Sequence, residues 1–512
     1  MDKRHRQNGL ADAASALLTE SSSDRFGLVS PSIYESARLV SLAPWLAGHL
    51  GRIRFLLDRQ RPAGHWGGTG GYAVVPTLSA TEALLTALRR DRHTTPEILA
   101  AADRGLGVLF AWFGGGEAPV PDTVAVELIV PALVTDINAH LNELAVAPIA
   151  GLVASGTARR LILPPSLGSA PLERVRRLAR EGAQLPEKLW HSLEIAGPAI
   201  RGAGYVRPAH GAVGCSPAAT AAWLGDSTPP GSAHESVAYL IDVQHHRGAV
   251  PVGAPIDVFE RAWLLAQFAA AGLPVTLPRA LTDRLHAAFT PAGASVGAGM
   301  LPDVDDTATA LYALARAGSP HSPDSLWTYR TGRHFACFPD ERTASTTANA
   351  HVLQALDAAT DDVTASYTLA RWLRDQQHED GSWTDKWHAS PFYATACCVE
   401  ALARSNQDAV TKAASWVLEN QRADGSWGRW QGTYEETAYA VQILLRAEVD
   451  DHSGQSVVRG CRFLKSWGAA DHPPLWHDKD LYTPTRVVRA AGLAALHLAR
   501  THRRIIAVAE CR

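Results

Sequence analysis

Gln377-His378-Glu379-Asp380-Gly381-Ser382-Trp383 and Gln421-Arg422-Ala423-Asp424-Gly425-Ser426-Trp427 follow one template and end in the same Asp-Gly-Ser-Trp. Gln60-x-x-x-Gly64-x-Trp66 is a third copy, and Gln244-x-x-x-Gly248 continues the series with Val250 where tryptophan would stand. Around these copies, stretches such as residues 76–88, 396–403 and 437–445 carry alanine and leucine at helical spacing, while alternating strand patterns are scarce. The pattern predicts a nearly all-α chain. A helix ends at each glutamine, glycine makes the turn, and tryptophan packs back onto the neighbouring helix pair. Repeated helix pairs stack as hairpins, either in an open solenoid or in a closed α/α barrel. The tryptophans are structural in this reading and make no substrate contact.

Length and composition frame the repeat. At 512 residues the chain exceeds one ordinary core, so two domains are expected. Hydrophobic residues at 46% and charged residues at 19% describe a globular chain. A net charge of −3 with no basic block argues against a nucleic-acid partner. The apolar run 124–134 contains Glu127 and Pro131 and is too short for a bilayer, so no integral membrane segment is expected. Six cysteines, with no short paired spacing beyond Cys397-Cys398, point to reduced thiols in the cytoplasm. No feature of the sequence defines an oligomeric state.

One further segment stands out. Asp303-Val304-Asp305-Asp306 places three carboxylates within four positions of an otherwise apolar, alanine-rich stretch. Like charges this close cannot all ionise cheaply, so at least one carboxyl is expected to have a raised pKa and to remain an acid near neutrality. Pro302-Asp303 also fits a helix N-terminus, where carboxylates are favoured without any chemistry.

The Asp-x-Asp-Asp segment resembles the proton-donor motif of class II terpene cyclases, and the glutamine/tryptophan repeats resemble those of the squalene-cyclase and terpene-cyclase superfamily. Further likeness runs through most of the chain: Asp122 to Pro131, Trp190-His191-Ser-Leu-Glu194, Asn349-Ala-His351, Asp385-Lys386-Trp387-His388, and Lys479-Asp-Leu-Tyr482-Thr-Pro484-Thr-Arg486. The resemblance is to bacterial class II cyclases acting on linear prenyl diphosphates. It implies two α/α barrels, called β and γ, with γ inserted after the first helix of β and the active site between them. By that map β comprises residues 1–49 and 269–512, and γ comprises residues 50–268.

The resemblance also implies roles. Asp305, the middle acid, would protonate an alkene, with Asp303 and Asp306 setting its environment. Asn349 would hydrogen-bond the acid, where squalene cyclases tend to use histidine. Lys386, Lys479 and Arg486 stand in matched motifs and would grip the diphosphate. Mg2+ normally assists such binding, and Glu127, an acid inside an apolar run, is the candidate ligand, since an unpartnered buried glutamate would be costly. Trp387, Phe335, Tyr393 and Trp263 are candidates to stabilise a carbocation by cation–π attraction. His191 matches the histidine that, in plant ent-copalyl cyclases, pairs with asparagine to hold the terminating water. Arg247 stands where that asparagine would be, so the dyad is not expected to carry over.

Rival readings fare worse. No Asp-Asp-x-x-Asp run with a second metal motif supports a class I site, and no Asp/Cys/His set supports a prenyltransferase zinc centre. A triterpene cyclase would be longer and carry more repeats. A glycosidase would set two carboxylates across a cleft. A non-catalytic helical-repeat scaffold leaves the acidic triplet unexplained. The sequence therefore points to protonation-initiated bicyclisation of a linear prenyl diphosphate with the diphosphate retained. Farnesyl diphosphate to drimenyl diphosphate is the favoured pair, and geranylgeranyl diphosphate to a copalyl or labdane-type diphosphate is the alternative.

Overall fold

The computed structural model describes residues 3–90, 95–115, 120–153, 159–227, 234–339, 341, 343–468 and 470–510. It is predominantly helical, and its inner helices form two closed rings. In the first, Asp257–Ala271, Val304–Arg316, Thr346–Ala359, Pro391–Leu402, Tyr434–Arg446 and Thr485–Thr501 each pack on the next, and the last returns to the first. Helices such as Arg279–Ala287, Val363–Asp375, Gln407–Glu419 and Asp451–Ser466 lie outside this ring. In the second ring, Ile33–Leu42 packs on Val74–Arg90, then Val126–Val146, the kinked 3-10 segment Glu187–Ile200 and Pro217–Leu224, which closes on Ile33–Leu42. These are the two α/α barrels. No helix among the described residues is long and apolar enough to cross a membrane.

The repeats explain how hairpins are joined. The amide Nε2 of Gln377 donates to the Gly381 carbonyl at 2.9 Å and to the Ala409 carbonyl of the next outer helix at 2.9 Å. Gln421 does the same with Gly425 and Ser456, and Gln60 with Gly64 and Ala101. Each glutamine thus staples one hairpin to its successor. Trp66, Trp383 and Trp427 are fully buried, and each indole N–H donates to a carbonyl ten residues upstream, in the outer helix just before the turn. Gly381 needs its glycine: φ is +96°, and a Cβ there would lie 2.5 Å from the Lys412 carbonyl. The fourth copy departs from this scheme, because Gln244, just past the helix Glu235–Asp242, bonds back to the Leu240 carbonyl of that helix.

The cores correct the expected domain boundaries. Apolar packing passes from the first barrel to the second between Val29 and Tyr34, and returns between Val250 and Ile256. The helix Ile33–Leu42, expected in β, builds the second ring. Asp257–Ala271, expected mostly in γ, buries Phe259, Trp263 and Phe268 in the first core. Which apolar face meets which neighbour decides membership, and a map of helix order does not carry that information.

Candidate active site

A cavity of about 640 Å³ takes its walls from both barrels. A larger groove of about 1130 Å³, lined by Arg59, Arg61 and Asp471 among others, holds none of the acidic triplet, so size alone does not locate the chemistry. Asp303, Asp305 and Asp306 all line the smaller cavity.

The two readings of the triplet describe one object. Asp303 is the N-cap of Val304–Arg316, and its carboxylate accepts the Asp306 N–H at 2.8 Å. The helix start therefore aims its first turn, acids included, at the cavity. Burial, then the hydrogen bond and charge it shares with Asp303, pushes the Asp306 carboxyl well above the usual range. Asp303 is pushed up to about 7, again chiefly by burial. Desolvation leads over the like-charge repulsion that the sequence argument invoked. Asp306 Oδ1 is buried without a hydrogen-bond partner, in keeping with a carboxyl that keeps its proton.

Asp305 has a different partner. Its Oδ1 lies 2.6 Å from Nδ1 of His351. Burial works against charge on that ring, but the Asp305 carboxylate and then Cys397 push the His351 pKa up to about 10. Asn349 does not take this place. Its amide is spent on the Phe335 backbone, accepting N–H at 2.8 Å and donating to C=O at 2.9 Å, and on the Ser345 carbonyl at 2.7 Å. Asn349 shapes the loop beside the site, and His351 contacts the acid.

Aromatic rings form the walls. Trp263 donates its indole N–H to the Tyr393 hydroxyl at 3.0 Å and meets the His351 ring edge-on. Trp387, Tyr393 and Trp263 face the cavity, joined by Phe259, Trp476 and Tyr482, which sequence reasoning missed. Phe335 is absent from the lining; it is buried beside Trp327 on a two-residue strand.

At the opening the charges are mixed. Lys386 lines the cavity, paired with Glu341 and set over the Trp387 ring. Lys188 and Arg207, unforeseen, stand exposed on the same rim, and among the described residues neither is engaged by a carboxylate. Lys479 and Arg486 are elsewhere. Lys479 is fully buried, with Nζ 2.6 Å from Glu35, 3.0 Å from Glu194 and 2.8 Å from the Ser216 hydroxyl. Arg486 ties the chain near Asp24 to Glu260 at 2.9 Å each. Both cations are paired with acids distant in sequence, and neither is among the residues that line this cavity. Glu127 is exposed on the rim, contrary to the buried acid expected. Among the described residues no three His, Cys, Asp or Glu side chains converge as a metal cage. Glu127 and neighbouring Asp122 supply hard oxygen donors that fit an Mg2+ held largely by water and by a substrate's phosphate oxygens.

His191 sits where the 3-10 segment kinks at Ser192. Its Nδ1 is 2.6 Å from the Gly214 carbonyl and its Nε2 is 2.9 Å from Asp478 Oδ1. With an oxygen facing each nitrogen, the ring is a double donor, and although burial opposes the charge, Asp478 holds the pKa above its ordinary value. Arg247 turns away to pair with Asp58. The partner of His191 is thus a carboxylate, and neither an asparagine nor Arg247 stands beside it.

This architecture recurs in known proteins. Residues 333–448 match the family model of the squalene-hopene cyclase C-terminal domain. The chain is 44% identical over 503 residues to the ent-copalyl diphosphate synthase of Streptomyces sp. (strain KO-3988), covering 95% of this chain and 96% of that one. It is 41% identical to the labda-7,13-dienyl diphosphate synthase of Streptomyces clavuligerus, covering 97% and 94%. The solved structure of ent-copalyl diphosphate synthase from Streptomyces platensis superposes with a TM-score of 0.89 at 48% identity, covering 96% of this chain and 99% of that one. The chain belongs to the class II terpene cyclases. Its close homologues within that family are bacterial copalyl diphosphate synthases.

Proposed function

We propose that the enzyme converts linear geranylgeranyl diphosphate to a bicyclic, labdane-type diphosphate of the copalyl kind, keeping the diphosphate. The observation that carries this reading is the Asp305–His351 pair opening onto an aromatic cavity. The relatives' names, copalyl and labdadienyl diphosphate synthases, favour the geranylgeranyl alternative, and the farnesyl-to-drimenyl expectation gives way to it.

Asp305 is the general acid. His351 holds Oδ1, leaving Oδ2 to carry the proton to the terminal alkene; the O–H bond breaks as the new C–H bond forms. Once the proton has left, the Asp305 carboxylate and the His351 ring hold each other, and that charge is what raises the His351 pKa. Asp303 caps the helix start and holds it in place, while Asp306, kept protonated by burial, adds little negative charge near neutrality. Trp263, Phe259, Tyr393, Trp387 and Trp476 present ring faces to the migrating positive charge and contain no competent nucleophile. The aromatic walls also exclude the water that would quench it.

The diphosphate lies toward the rim, where Lys386, Lys188 and Arg207 can donate charge-assisted hydrogen bonds. Bound Mg2+, with Glu127 among its oxygen ligands, would neutralise diphosphate charge. Replacing Glu127 by Gln is expected to raise the Mg2+ concentration needed for half-maximal activity; an unaltered metal titration would return Glu127 to a plain surface role. The free thiols of Cys215, Cys337, Cys397, Cys398 and Cys461 support a reducing, cytoplasmic setting.

The test is incubation with geranylgeranyl or farnesyl diphosphate plus Mg2+, then phosphatase treatment and identification of the alcohol. A bicyclic diterpene alcohol from the longer substrate is expected. Recovery of linear geranylgeraniol and farnesol alone would defeat the proposal.

A further inference from the structure

The acid that starts the reaction is accounted for, but a cation formed in the cavity must also lose a proton. Besides the triplet and the acids Asp122, Glu127, Glu187 and Glu341, the cavity is lined by Asp478, on a different segment of the chain. Asp478 lies in the turn between the strands Trp476–His477 and Leu481–Tyr482, whose Trp476 and Tyr482 line the same cavity. Its Oδ1 receives the His191 Nε2–H at 2.9 Å and the Lys479 N–H at 2.6 Å. Among the described residues no protein group hydrogen-bonds Oδ2, and the side chain is 20% exposed, so one oxygen is anchored and the other is open to the cavity.

The turn itself is held firmly. The Asp478 carbonyl accepts the Val124 N–H, Lys479 plugs into Glu35 and Glu194, and Asp480 accepts from the Ser32 hydroxyl at 2.8 Å and the Tyr34 N–H at 3.0 Å. Three successive side chains therefore fix a segment of one barrel against the other. Asp478, Asp305, Asp306 and Tyr482 all line this one cavity.

We infer that Asp478 is the catalytic base that ends the cyclisation, with His191 as its positioning residue. This rests on the cyclase reading above. The Asp478 carboxylate takes a proton from a carbon adjacent to the ring cation. An O–H bond forms, the C–H bond breaks, and its electron pair becomes the new C=C bond, discharging the cation. The resulting carboxylic acid returns its proton to solvent as the product leaves. His191, donating to Oδ1 from a ring itself held by the Gly214 carbonyl, keeps the open oxygen oriented.

The experiment compares wild type, Asp478→Asn and His191→Gln on geranylgeranyl diphosphate with Mg2+, reading total substrate consumed and the ratio of alkene isomers and hydroxylated products after phosphatase treatment. Asp478→Asn is expected to form the wild-type alkene about 10²-fold more slowly or worse, as for loss of a general base. Consumption should fall less, with double-bond isomers or water-quenched alcohols taking the place of the parent alkene. His191→Gln should shift the ratio in the same direction by less. An Asn variant that merely slows, with its product ratio unchanged, overturns the inference. If Asp478→Asn fails to fold, Asp478→Glu decides: an altered isomer ratio supports the assignment and an unaltered one overturns it. A wild-type enzyme that yields only geranylgeraniol defeats the cyclase proposal itself, whereas cyclisation with the same products from every variant defeats only the role of Asp478.

Discussion

Asp305→Asn is expected to abolish cyclisation, by about 10²–10⁴-fold or more, while leaving substrate affinity nearly unchanged. The amide is isosteric and its oxygen can still accept from His351, so the packing of the helix start and the 2.6 Å contact survive. What disappears is the transferable proton. Neither neighbour is placed to replace it: Asp303 is engaged as the N-cap, and Asp306 shares its hydrogen bond with Asp303. Product formation by gas chromatography and affinity by calorimetry with geranylgeranyl diphosphate would check both halves. Retained turnover would remove Asp305 from its role.

Lys479→Met is expected to destabilise the protein by about 3–5 kcal/mol, because it leaves two buried carboxylates without their cation. Burial already pushes Glu35 up to about 7, with the Lys479 charge holding it down; removing that charge would drive the pKa higher still. The loss should appear in urea or thermal denaturation of the full chain, with KM for the diphosphate substrate little altered in the protein that remains folded. Unchanged stability together with a large rise in KM would restore Lys479 to the diphosphate site.

The repeats were legible in the sequence because each of their residues answers a local demand. Gln377 reaches a carbonyl four residues on, Gly381 takes a left-handed turn, and Trp383 folds back over its own helix. The acidic triplet was legible because its members are consecutive. What stayed hidden depends on distance or direction. Asn349 and His351 are two positions apart on one helix, so they project roughly 200° apart and only one can face Asp305. A motif containing both cannot say which. Lys479 looked like a ligand for phosphate because its acids lie 444 and 285 residues away in the chain. Asp478, beside it, drew no attention until the fold showed which side chain of that turn faces the cavity. Glu127 was misplaced for a simpler reason: an apolar run reads as buried throughout, yet one face of a helix start can still be exposed.

The turn Asp478-Lys479-Asp480 gives the two barrels a shared fate. Its middle residue is paired with Glu35 and Glu194 of the other barrel, and its first residue lines the cavity. The packing of one barrel is thereby joined, through one peptide unit, to the wall of the cavity. A substitution beneath the Ile33–Leu42 helix, remote from any substrate, would be read out as altered chemistry as well as altered stability. A half-folded chain would then lack an ordered carboxylate at that wall, and the cavity could not be completed by either barrel alone.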